Sequence, residues 1–153
     1  MSPAIPAPGR APKSINLGMR AMVNWLQEQQ YDGESDSGHH ITLDGDAAHR
    51  AGASPMELVL MALCGCTAVD VISIMRKKRE PLTSLRVSAE AERAEEAPKV
   101  FTHIHLTYHM GGVVSKKAAE DAVSLSKNKY CSVSKMLEKA AKIDYVITYG
   151  EKS

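Results

Sequence analysis

Cys64 and Cys66 sit one residue apart inside the apolar run "ALCGCTAVDVI", and a third cysteine, Cys131, follows in "KNKYCSVSKML". Sulfur in such settings packs as a small hydrophobe, ligates a metal, or works as a thiolate. On a helix, residues two apart point roughly 200° away from each other. Cys64 and Cys66 therefore cannot bridge within one helix, and they do not present a single face to zinc. Either both are inert core thiols, or one meets an environment the other does not and does chemistry there. Cys131 lies where coil turns into helix, preceded by Lys127 and Lys129. Free amides and positive charge at a helix N-terminus favour thiolate, commonly drawing such a pKa below ~7.5. The alternative is a cysteine that happens to sit beside a cap supplied by Ser132.

The elements that hold these thiols follow from periodicity. The first twelve residues contain four of the seven prolines, which suits neither a helix nor a sheet ladder. Residues 1–17 are expected to be a flexible arm, with one domain over 18–153. Residues 20–26 alternate, with Ala21, Val23 and Trp25 on one face, and "HITLDGD" ends in an Asp-Gly turn, so the chain opens as a small meander. Ser54 and Pro55 signal a helix start, with the serine as cap and proline at the first helical position. That helix runs to about residue 78 and is apolar around most of its circumference, which requires cover on several sides. In a chain of 153 residues this points to a partner copy, hence a homodimer.

"LRVSAEAER" and "VFTHIHLTYH" alternate as the two arms of a hairpin joined through "EEAP". "SKKAAEDAVSLSKNK" is an amphipathic helix with Ala118, Ala122, Val123 and Leu125 inward. "SVSKMLEKAAK" is a second, shorter helix, and "IDYVITY" closes the chain as a strand. The fold class is α+β. His103, His105 and His109 share one strand face as a solvated, hydrogen-bonding set. No further ligand is fixed near them, so no metal site is expected. Met56, Met61, Met75 and Met136 are expected to pack around helical cores.

With 19 basic and 18 acidic residues the net charge is +1, which gives no electrostatic footprint for nucleic acid. One Trp and one Phe cannot build a base-stacking platform. The most apolar run, residues 58–69, is shorter than the ~20 residues a bilayer needs, so no membrane partner is expected. An odd number of cysteines without framework spacing suits a reducing compartment, and the cytoplasm is the expected location.

"SPMELVLMALCGCTAVDV", followed some sixty residues later by "KYCSVSKML", resembles the OsmC/Ohr family of osmotically induced and organic hydroperoxide resistance proteins, closest to its YhfA-like branch. The likeness extends through "ERAEEAPKVFTHIHL" and covers nearly all of the chain after the arm. It implies an intertwined homodimer with antiparallel sheets packed around a long buried central helix. By motif position it implies that Cys66 is the peroxidatic cysteine and Cys131 the resolving cysteine. An organic hydroperoxide would be the substrate and an external dithiol the reductant, with no bound cofactor. Cys64 has no role in that scheme and is expected to pack in the core.

The chain also departs from the family pattern. Peroxide-reducing relatives supply an arginine from the loop after the first strand, held by a glutamate early in the central helix. Here that loop reads "QEQQYDGESDSG", without arginine. The family's glutamate position is Met56, and the acid, Glu57, comes one residue, or about 100°, later. Glu57 is thus either a displaced catalytic acid or a first-turn charge on the helix dipole. Arg20 and Arg50 match no motif position and are expected at the surface. Asp70 lies at i+4 from Cys66, on the same face, where a carboxylate disfavours thiolate unless it is itself paired. Two functions are expected to compete: a thiol-dependent organic hydroperoxide reductase, and a non-catalytic protein holding a small hydrophobic ligand at a dimer-interface pocket with its thiols idle.

Overall fold

The computed structural model describes residues 18–150, and the expected arm over 1–17 lies outside them. The chain divides into two compact units, Met1–Pro55 and Met56–Ser153.

The described part of the first unit is the expected meander: β1 (Ala21–Gln27), β2 (Gln30–Ser35) and β3 (His40–Asp44), paired antiparallel in that order. Among its strand residues only Gly33 and Asp44 are buried, and no large apolar side chain is. Every residue of β1 is exposed, Trp25 at 69%, so the expected inward face of Ala21, Val23 and Trp25 is not covered there. The reason is architectural: a sheet buries a face only against a second layer, and this unit supplies none among its described residues. After β3, the Asp44 carboxylate accepts the Asp46 and Ala51 amides at 2.8 and 3.1 Å, an Asx turn extended into a clamp. Those bonds hold the Asp44 carboxyl below the usual carboxylate range.

The second unit is organised by α1 (Pro55–Lys77), whose bounds agree with the proline signal. By length and composition α1 is apolar enough to cross a bilayer, more than its twelve-residue apolar run suggests. What it buries, however, is one stripe at i+4 spacing, Leu63, Thr67, Val71 and Met75. That stripe joins a core with Ile104, Leu106, Tyr108 and Met110, the inward face of β5 (Phe101–Gly111). Burying a side chain of Leu63's size contributes roughly 1.5–3 kcal/mol. β4 (Ser84–Arg93) pairs antiparallel with β5, and half-buried Leu85, Val87, Ala89 and Ala91 add to the same core.

β6 (Lys142–Tyr149) pairs with β5 in parallel, where antiparallel pairing was expected throughout. The helices between them account for this: α2 (Lys116–Leu125), a π-helical turn (Ser126–Tyr130) and α3 (Ser132–Leu137) carry the chain back to the starting end, and such a crossover delivers a parallel strand. α2 is shorter than expected and buries Ala118, Ala119, Ala122 and Val123. Leu125, taken as inward, is 38% exposed because the backbone leaves α-helical geometry immediately after it. Met56 and Met75 pack in the core as expected, whereas Met61 and Met136 are 52% and 64% exposed.

On the outer face of this sheet His103 and His105 share the two oxygens of Asp144, His103 at 2.7 Å. His109 bonds Thr148 at 2.7 Å. Each of the three histidines thus bonds a neighbour on β6 through one ring nitrogen, and no group of three or more ligands suited to a metal exists among the described residues.

Candidate active site around Cys66 and Cys131

Cys66 and Cys131 are brought together. Cys66 stands one residue before Thr67 on α1 and so flanks the buried stripe, half-buried, while Cys131 is fully buried. Cys66 lies near enough to Cys131 for its side chain to act on the Cys131 thiol. Cys64 flanks the stripe on its other side. It packs half-buried against the core, and burial pushes its thiol up. All three cysteines are free thiols.

The π-helical turn places Cys131. Its i→i+5 bond runs from the Cys131 amide to the Ser126 carbonyl at 2.8 Å, and Cys131 then caps α3. Its sulfur accepts the Ser134 amide at 3.4 Å, so the cap is Cys131 itself and not Ser132. The expectation of a lowered thiol pKa is overturned: burial pushes Cys131 up to about 11. The Ser134 amide opposes that shift, and nearby Cys66 and Asp70 add to it. Lys129 lies instead over the Tyr130 ring, 5.3 Å from its centre. Desolvation outweighs one amide. Ser134 Oγ is buried beside this cap with no hydrogen-bond partner among the described residues.

Around the thiols runs a buried polar chain that residue spacing did not reveal. Tyr108 OH and Thr67 Oγ1 are 2.7 Å apart, Thr67 Oγ1 and Ser126 Oγ 2.7 Å, and Ser126 Oγ donates to Asp70 Oδ2 at 2.9 Å. Asp70 thus accepts from a neutral hydroxyl and not from a cation, so its carboxylate still opposes thiolate at Cys131. Burial pushes the Tyr108 phenol up to about 12, with the hydrogen bond it shares with Thr67 opposing that shift. Two signals for this network were present. Thr67 interrupts the apolar i+4 stripe, and Tyr108 occupies an inward strand position where a buried hydroxyl needs a partner.

Glu57 is exposed in the first turn of α1. Arg20, also exposed, stands 3.8 Å from Asp36, and Arg50 is exposed as expected. The outer face of α1 carries an open groove of about 610 Å³ lined by Ala68, Val69, Ile72, Ser73, Arg76 and Lys77. Neither cysteine lines it.

Residues 45–146 match the family described as OsmC-like protein. Protein YhfA of Escherichia coli K12 is 48% identical over 128 residues, covering 83% of this chain and 95% of its own. A crystal structure of an OsmC-like protein from Mycoplasma pneumoniae aligns with TM-score 0.77 at 17% identity, over 88% of this chain and 99% of that one. An organic hydroperoxide resistance protein from Elizabethkingia anophelis aligns with TM-score 0.67 at 12% identity, over 90% and 99%.

Proposed function

The chain belongs to the OsmC-like protein family, and on that premise we propose that it is a thiol-dependent organic hydroperoxide reductase in the cytoplasm. The observation that carries this reading is the approach of Cys66 to Cys131 from elements far apart in sequence. In the first step the Cys66 thiolate attacks the terminal peroxide oxygen. The O–O bond breaks, the alcohol leaves after taking a proton, and Cys66 becomes a sulfenic acid. In the second step the Cys131 thiol displaces hydroxide from that sulfur, water leaves, and a Cys66–Cys131 disulfide forms. A dithiol reductant then opens the disulfide by exchange, itself becoming oxidised. Held as a thiol, Cys131 does not compete for peroxide, and in the second step its proton leaves with the displaced hydroxide as water. The chemistry calls for no bound cofactor, and Glu57 is assigned at most a supporting role at the start of α1.

The working form is a homodimer in which a second copy covers apolar surface this chain leaves open, including Val69 at 70% exposure on α1. Exposed apolar area of this kind marks association.

The absence of arginine from residues 27–38 favours a second reading, a carrier of a small hydrophobic ligand with idle thiols. Turnover of cumene hydroperoxide with a dithiol reductant separates the two. The reductase reading expects turnover by the wild type and none above background for Cys66→Ser. Equal rates for the two proteins favour the carrier.

A further inference from the structure

The hydroxyl chain has a direction. Asp70 accepts from Ser126, which spends the single Ser126 proton. Ser126 Oγ must then accept from Thr67, and Thr67 in turn from Tyr108. Three hydroxyls from α1, β5 and the π-helical turn thus point one way, ending on a carboxylate one helical turn from Cys66. Bonds that end on a charged acceptor are the stronger kind. Tyr108, Thr67 and Ser126 are all at most 1% exposed, so their hydroxyls bond one another and not bulk solvent.

Ser126 is the residue where this chain meets the second cysteine. Its side chain is tied to Asp70 and Thr67 on the helix that carries Cys66. Its carbonyl holds the amide of Cys131. The link from Cys131 to α1 is therefore two hydrogen bonds long and passes through one residue. The turn it opens is π-helical, a rare geometry found frequently at functional sites. None of these four residues is consumed in peroxide reduction.

We propose that Asp70, Ser126, Thr67 and Tyr108 are positioning residues that set the reach between Cys66 and Cys131, acting on disulfide formation and not on the first attack on peroxide. The claim deepens the reductase reading and rests on it for its second step, in which a Cys66 sulfenic acid and the Cys131 thiol give a disulfide and water. Misplacing reacting atoms by ~1 Å can cost about 10²-fold in rate, so the loosened turn is expected to show clearly.

The test is Ser126→Ala, with Ser126→Thr as the variant that restores the hydroxyl. After one equivalent of cumene hydroperoxide, quenched time points are scored by mass spectrometry for dimedone-trapped sulfenic acid and for disulfide. Ser126→Ala is expected to consume the peroxide at the wild-type rate, form disulfide on the order of tenfold more slowly, and accumulate the dimedone adduct. Ser126→Thr is expected to recover the wild-type pattern. Disulfide formation by Ser126→Ala at the wild-type rate overturns the proposal.

A second measurement needs no peroxide: the equilibrium of the Cys66–Cys131 pair with a dithiothreitol buffer. There Ser126→Ala is expected to favour the reduced form by about tenfold. A wild type that ignores peroxide yet shows this shift would defeat the reductase reading and leave the positioning claim standing; no shift, or no wild-type disulfide in the buffer, defeats positioning. Should Ser126→Ala lose its cooperative thermal transition, Thr67→Val, which removes the neighbouring hydroxyl of the chain and no charge, carries the same test.

Discussion

Cys131 is pulled two ways. The Ser134 amide at the start of α3 favours thiolate, while burial in the core disfavours it; burial prevails, and the thiol moves from its ordinary 9.0 to about 11. Below about pH 9 the sulfur is protonated in folded and unfolded chains alike. Between about 9 and about 11 the unfolded chain releases the proton and the folded chain retains it, so stability is lost as pH rises across that window. We expect the wild type to lose up to about 2 kcal/mol over this range relative to Cys131→Ala. Thermal or urea unfolding of both proteins at pH 8, 9.5 and 11 checks this, and parallel stability curves would contradict it. The position of Cys131 at a helix start was legible in the sequence. Its burial was not, because the residues that cover it come from α1, β5 and α2, and no local window contains them.

At the scale of elements, α1 was the most legible part. Proline marked its start, and its all-round apolar character was visible before its packing. The structure divides that circumference: one stripe enters the chain's own core, and the opposite side, with Val69 and Ile72, forms the open groove. We expect the wild type to sediment as a dimer and Val69→Glu as a monomer, because burying an unpaired carboxylate is strongly unfavourable. Sedimentation equilibrium of wild type and variant measures this; equal masses near that of a single chain would show that α1 is not an interface. The parallel pairing of β6 and the π-helical turn were harder to foresee. Strand direction depends on how many crossing elements intervene, and the helical pattern of 116–129 carries no mark of the extra residue that widens the turn at Ser126. The Tyr108–Thr67–Ser126–Asp70 chain was missed for a related reason. Its members lie up to 59 residues apart, and each reads alone as an ordinary polar interruption.

The whole molecule does one thing that none of its parts implies: it brings a cysteine of the central helix to a cysteine that caps a short helix sixty-five positions later. The π-helical turn and the cap of α3 set the place of the second sulfur. The pair must be judged by its product. Purified reduced protein treated with one equivalent of cumene hydroperoxide, then alkylated, digested and mapped by mass spectrometry, reports the fate of each sulfur. We expect one dominant linkage, Cys66 to Cys131, with Cys64 recovered as the alkylated thiol and no linkage in Cys66→Ser. Full recovery of Cys66 and Cys131 as free thiols while the peroxide persists would contradict the account.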